Sequence, residues 1–426
     1  YKETYAEAGI KIDDLKGPEN LLSIPTIDKK QISANFPDRI TSQTSKQKSW
    51  KFFATSGTTD RLMVIKDREA LSRERALKHY QEFIQGTKGT GNLIVSIPPD
   101  ACSLTCGLRV QRKKGMVEKF QEIFENIATK EWANIPRTAT GKILRKLTYP
   151  SKELPSFGTA GTRIDEETLA WYFDQISELK PEVLSGLPTY LQILARYIRN
   201  KGIKPPEVGN ILPQGGLITP KMKNEISSAF RAPVHEEYGG HEFGRVASTC
   251  EKIDKMHILN QECYVEIIRN GRHVPNGELG EIVLTIFTNR AMPLIRYKPG
   301  DVGRKYDAGC SCKRETPLLT VEGRIQDTIV TSEAVFSAKD TIDFYAQFEN
   351  IEFCQFVQRN ESRCDLLIVE KQKGKTDIQD VVNKSNDFFY GEFQIRPRIV
   401  STIKPEPSGK FRFVKSDSYK KFNGTP

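Results

Sequence analysis

Ala54, Thr55, Ser56, Gly57, Thr58 and Thr59 gather hydroxyl side chains around a single glycine. Such a loop offers backbone N–H groups and hydroxyl donors to a polyphosphate, and Gly57 lets the backbone come close where a Cβ would collide. The same composition also suits a solvated turn. It is not a Walker loop: no Gly-x4-Gly-Lys-Ser/Thr occurs and no helix pattern opens behind it. A second set of residue types suits a metal. Cys250 and His257 lie seven apart, and Cys310-Ser311-Cys312 follows later. Together they would make a closed Cys3His tetrahedron for structural Zn2+. Cys263 could stand in for one ligand, and the tight Cys-x-Cys spacing also suits buried free thiols. Cys102 and Cys106 lack a second pair and read as loop thiols. The glycines between 86 and 91 precede a strand pattern instead of following one, so they are no dinucleotide fingerprint.

These residues need elements to hold them. Trp50-Lys51-Phe52-Phe53 and Leu62-Met63-Val64-Ile65 read as strands on either side of the hydroxyl loop. Further strand-like runs cover 92–97, 283–287 and 365–369, and they alternate with helical patterns. One helix opens on Pro188 and places Leu191, Leu194, Ala195 and Ile198 on one face. Alternation of this kind predicts an α/β fold. A boundary is expected at 323–327, because the last ~100 residues carry strand and helix signals enough for a small domain.

Four further motifs follow the hydroxyl loop in order. They are Glu236-Glu237-Tyr238-Gly239-Gly240-His241-Glu242, Arg296-Tyr297-Lys298-Pro299-Gly300-Asp301, Gly323-Arg324-Ile325-Gln326-Asp327 and Pro407-Ser408-Gly409-Lys410-Phe411-Arg412. The ordered set resembles the adenylate-forming superfamily of acyl-CoA synthetases and adenylation domains. The flanking sequence is similar to its phenylacetate-CoA ligase and coenzyme F390 synthetase branch, over nearly the whole chain.

The resemblance implies a large N-terminal α/β domain, 1–323, with sheets packed by helices, and a small mobile α+β lid, 327–426. It implies ATP-dependent activation of an aromatic or small carboxylic acid as an acyl-adenylate, with release of pyrophosphate. Transfer to CoA, a carrier-protein thiol or an amine would follow; the alternative is a non-catalytic relative that binds a nucleotide or adenylate. Thr55, Ser56, Gly57, Thr58 and Thr59 would cradle the β- and γ-phosphates. Tyr238 would pack on adenine, with Gly215 and Gly216 leaving room for the base and Glu237 and Gly239 beside it. Glu242 would hold Mg2+, Asp301 would accept from the ribose hydroxyls, and Arg324 would touch ribose or phosphate. Lys410 would neutralise the α-phosphate. A second lysine motif, around Lys142, sits where the superfamily has none and reads as a solvated loop. The chain departs from the pattern at Asp60 and Arg61, at His241, at Gln326, and at 331–336, where no Arg-Gly pair stands.

Composition limits the other classes. The 426 residues are 38% hydrophobic and 28% charged, an ordinary globular balance. The net charge of +10 suits anionic small substrates, and no basic stripe interleaved with aromatics points to nucleic acid. No apolar run approaches the ~18 residues of a membrane span, and no signal-peptide pattern opens the chain. Because it begins on Tyr1, a short N-terminal extension is expected. Eight cysteines in so long a chain fit a reducing compartment, with cytoplasm as the default. A homodimer is compatible with all of this.

Overall fold

The computed structural model describes residues 1–11, 18–44, 50–54, 62–79, 93–98, 151–158, 161–250, 252–407 and 409–423. Thr55, Ser56, Gly57, Thr58 and Thr59, with Asp60 and Arg61, lie outside these, as do the glycines at 86–91, Cys102, Cys106 and the Lys142 motif. Among the described residues the architecture is mixed α/β, as the alternating pattern predicts.

Four short strands form an all-parallel sheet, in the order Ser151–Glu153, Ile94–Ile97, Val183–Gly186, Asn210–Pro213. Every residue of Val183–Gly186 and Asn210–Pro213 is buried. A strand of a parallel sheet covered on both faces buries successive side chains instead of alternate ones, and here Ser185 and Asn210 go into the interior with their apolar neighbours. The cover comes from helices Glu166–Leu179, Pro188–Lys201 and Pro220–Phe230, which share one apolar core with the sheet. Pro188 and Pro220 occupy the first helical turns, where a missing N–H costs nothing, and Thr219 caps the second of these helices through Met222 N. The 188–201 helix differs from its expected one-sided pattern. All eight residues from Pro188 to Ala195 are buried, because further elements pack around its first two turns.

The second layer is a large, mainly antiparallel sheet with ten strands among the described residues. Glu237–Gly240 lies at one edge, paired with Gly244–Cys250. Near the middle, Asp301–Tyr306 and Leu318–Arg324 form a hairpin in which Asp301 stands opposite Arg324. The runs flanking the hydroxyl loop form strands Lys51–Ala54 and Met63–Lys66, which pair antiparallel.

Beyond Leu318–Arg324 a single 3-10 turn, Ile325–Asp327, leads into the C-terminal part. There Ile351–Gln358 and Arg363–Glu370 pair antiparallel, with Gln394–Ile399 and Val414–Lys415 parallel at the two edges. Helices Ala338–Ala346 and Ile378–Phe388 flank this sheet, and Phe356, Phe389, Leu366 and Ile368 centre its own core. Phe353, Val369 and Ile403 instead join the core of the parallel sheet, so the C-terminal part is packed against it.

Candidate active site

Antiparallel register builds the first cluster. Because Asp301 faces Arg324 across the hairpin, the guanidinium Nε lies 3.1 Å from Asp301 Oδ1. Arg324 also donates to Pro299 O at 3.0 Å. The Tyr238 hydroxyl, from the edge strand, donates to Asp301 Oδ2 at 2.7 Å. Nearby, Tyr297 donates to Glu242 Oε1 at 3.2 Å. Burial pushes the Asp301 carboxyl above its usual range, while the Arg324 guanidinium and the Tyr238 hydroxyl pull it back. Burial, with Asp301 beside it, raises Tyr238 well above an ordinary tyrosine, so its hydroxyl keeps its proton. A carboxylate has about four lone-pair sites, so each Asp301 oxygen can still accept from a ligand.

Lys410 reaches this cluster from the C-terminal part. Its turn is closed by Glu406 N donating to Lys410 O and Gly409 N donating to Glu406 O, both at 2.8 Å, with Gly409 at φ +77°. A Cβ placed on Gly215 would stand 3.6 Å from Lys410 Cε, so the lysine stem crosses a bare stretch of backbone. The Lys410 charge also helps to lower the Asp301 carboxyl, as a neighbour's would. Gly216 lies beside Pro188 and Leu187. Glu237 is held by Arg245 at 3.0 Å and Gln214 at 3.1 Å, and Gly239 pairs with Arg245 across the edge hairpin. Tyr238 is itself 8% exposed, its ring beside Phe243 at 5.6 Å. The structure therefore brings together Tyr238, Glu242, Asp301, Arg324, Gly215 and Lys410. The five hydroxyl-loop residues fall outside the described part.

Some contacts were not legible as roles. Tyr297 lies inside a quoted motif, but its partner Glu242 is set by the fold. Arg412 pairs with the buried Asp327 and donates to Gln326 O at 2.9 Å, tying the lysine loop to the 325–327 turn. Burial lifts the Asp327 carboxyl to about 6 against the pull of Arg412.

The second cluster lies at the far end of the same hairpin. Cys250, His257, Cys310 and Cys312 offer ligand atoms all within 4.8 Å of one another. Cys250 Sγ is 3.5 Å from Cys310 Sγ, and Cys312 Sγ is 3.3 Å from His257 Nε2. Tetrahedral zinc, with Zn–S of about 2.3 Å, needs sulfurs roughly 3.8 Å apart, so the donor set and spacing fit that ion. Backbone N–H groups of Lys252 and Cys312 point at Cys250 and Cys310 sulfurs, both at 3.4 Å. His257 Nδ1 meets Thr316 Oγ1 at 3.1 Å, which leaves Nε2 facing the cysteines. Burial pushes the His257 imidazole down and keeps it neutral, the form that ligates metals. Cys263, the substitute, is elsewhere: the residue is 1% exposed, and its thiol faces Leu259 O and Val246 O and is pushed up to about 12 by burial. It is a core thiol because its strand turns it inward.

No protein-family model matches the chain. The phenylacetate-coenzyme A ligase of Thermus thermophilus is 28% identical over 199 residues, 45% of this chain and 45% of that protein. Protein CapK of Staphylococcus aureus is 24% identical over 271 residues, 62% of this chain and 59% of that one. The chain is a relative of both, within the adenylate-forming superfamily. It spans about half the length of these curated relatives. Among solved structures of this superfamily's fold, 2-hydroxyisobutyryl-CoA ligase in its postadenylation state, with an adenylate bound, overlaps at a TM-score of 0.70 with 18% identity. The match covers 98% of this chain and 85% of that one. The same ligase in its thioesterification state overlaps at 0.56, with 18% identity and coverage of 97% and 84%. Amide bond synthetase McbA of Marinactinospora thermotolerans overlaps at 0.55 with 13% identity, over 86% of this chain and 68% of that one.

Proposed function

We propose that this protein activates a carboxylic acid with ATP and passes the acyl group to a thiol or an amine. A carboxylate oxygen attacks the α-phosphorus of ATP, the bond to the bridging oxygen of pyrophosphate breaks, and an acyl-adenylate forms. The acceptor's sulfur or nitrogen then attacks the acyl carbon and AMP leaves. The single observation that carries this reading is Lys410 crossing Gly215 beside Tyr238, Glu242, Asp301 and Arg324. A positive charge on a site otherwise rich in carboxylates suits the negative charge that spreads over the α-phosphate as it reacts. Asp301, fixed by Tyr238 and Arg324, would receive the ribose hydroxyls on its remaining lone pairs. Tyr238 would border the adenine, with Glu237, Gly239, Gly215 and Gly216 around it. Glu242 fits a hard cation because it is a half-buried carboxylate facing the site. Bound Mg2+ would screen the phosphates there. Thr55, Ser56, Gly57, Thr58 and Thr59 complete the reading as the β- and γ-phosphate cradle.

We read 1–323 as the ATP- and acid-binding domain and 327–426 as a lid carrying Lys410. The higher overlap with the postadenylation than with the thioesterification state supports a lid in the adenylating position. Cys250, His257, Cys310 and Cys312 would hold a structural zinc ion remote from the chemistry. The acceptor is CoA, a carrier-protein thiol or an amine; the CoA ligase and amide synthetase likenesses support both chemistries. The test is pyrophosphate release with ATP and Mg2+ across aromatic and short aliphatic acids, with CoA or amines added. Release that depends on one acid supports the reading. ATP binding with no release for any acid favours the non-catalytic alternative.

A further inference from the structure

Lys410 can act only if the C-terminal part sits where it does, and the residues that seat it belong to none of the nucleotide motifs. Arg196, on helix Pro188–Lys201, grips Glu225 with Nε at 3.0 Å and Nη2 at 3.1 Å. Its remaining Nη1 donates to Glu352 O at 2.6 Å, and its guanidinium carbon lies over the Phe353 ring, 4.4 Å from the ring centre. Glu352 and Phe353 belong to the C-terminal sheet. Gln192 and Arg199 also donate to Glu225, both at 2.8 Å, so this carboxylate orients Arg196 and stays paired without it. Burial would raise Glu225, but Arg196, Gln192 and Arg199 together outweigh it and hold the carboxyl below its usual range.

A second contact lies across the same surface. Thr162 N donates to Ile403 O at 3.0 Å, Ile403 N donates to Thr162 Oγ1 at 3.1 Å, and Arg163 N donates to Thr402 Oγ1 at 3.3 Å. The chains approach so closely that a Cβ on Gly161 would meet Ile403 O and Thr402 Oγ1 at 2.5 Å, and Gly161 has φ +81°. Phe411, the residue after Lys410, sets its ring edge-on to Tyr190 of the same helix as Arg196, at 6.1 Å.

We propose that Arg196 and the Gly161–Thr162 strap are positioning residues for the lysine loop: they hold the C-terminal sheet on the body and so decide how often Lys410 stands over Gly215. This rests on the adenylation reading. Neither group touches the nucleotide cluster. Loosening them lowers the fraction of molecules with Lys410 in place, and the rate of adenylation falls with that fraction. ATP affinity stays, because Tyr238, Asp301 and Arg324 all lie on strands of the large sheet, which neither group touches.

The test joins acid-dependent ATP–pyrophosphate exchange to amide hydrogen exchange. Arg196→Met is expected to lower kcat about tenfold if the seated fraction falls to about a tenth, with the ATP Kd changed less than twofold. Peptides carrying the Thr162, Arg163 and Ile403 amides should exchange faster, while the buried 183–186 strand keeps its protection. Gly161→Ala should give the same signature from the other side of the surface. Full activity and unchanged protection at 162, 163 and 403 in both variants would overturn the proposal. So would loss of protection spread evenly over the whole chain, which is simple destabilisation. A wild-type protein without turnover would sink the adenylation reading instead, and the amide exchange rates would still decide whether Arg196 seats the sheet.

Discussion

The hairpin Asp301–Tyr306 and Leu318–Arg324 carries one cluster at each end, roughly 17 Å apart by strand rise. At one end Asp301 meets Arg324 and Tyr238, so each polar group has a protein partner before any ligand arrives. At the other, Cys250, Cys310 and Cys312 face each other and a neutral His257, with no side chain of opposite charge in the set. The first arrangement is pre-oriented and answers to small molecules that add hydrogen bonds. The second is a ligand set whose thiolates gain stability from a cation. A single hairpin thus ties a proposed chemical site to a proposed structural one, and the two should respond to different perturbations.

The largest effect is expected from breaking the thiol end. Cys312→Ser should abolish binding of one zinc per chain, measured by elemental analysis, and cost about 4 kcal/mol of stability. The ATP Kd should move less than twofold, because the charged end keeps its own partners. Next comes pH at the charged end. The Asp327 carboxyl, lifted to about 6, lies above its unfolded value. Its protonated form is therefore the one the fold favours: its contribution is full below about pH 4 and is lost as pH rises through 6. Urea unfolding should show stability falling over that window by at most roughly 3 kcal/mol, and Asp327→Asn should flatten it. Thr316→Val removes the oxygen beside His257 Nδ1 and should weaken zinc binding by about 10–100-fold, read by chelator competition. The smallest change is Asp301→Asn, which keeps shape and loses charge. It should weaken ATP about tenfold in calorimetric titration while leaving zinc content at one.

Much of this plan was legible in the chain. The strand-like runs at 92–97, 283–287 and 365–369 and the proline-led helix at 188 follow from local chemistry and fall on observed elements, and the motif order pointed to Tyr238, Glu242, Asp301, Arg324 and Lys410. What stayed hidden depends on long-range register. Nothing near Arg196 in sequence points to Glu225 or to Glu352 O, and Arg412 finds Asp327 only after the sheet Ile351–Gln358 and Arg363–Glu370 folds back. Cys250, His257, Cys310 and Cys312 were singled out from their residue types, and the fold groups those four; what spacing did not show is that strand phase turns Cys263, the substitute, into the core. Helix 188–201 hides more surface than its spacing suggests, because periodicity reports one face and not what packs on the other.

The central claim is that Lys410 serves the adenylation step, and the direct measurement is acid-dependent ATP–pyrophosphate exchange in Lys410→Ala beside the wild type. The account predicts a loss of about 10²–10³-fold, with ATP binding by titration changed less than about threefold, as expected when a transition-state contact is removed. A Lys410→Ala protein exchanging at the wild-type rate would contradict it.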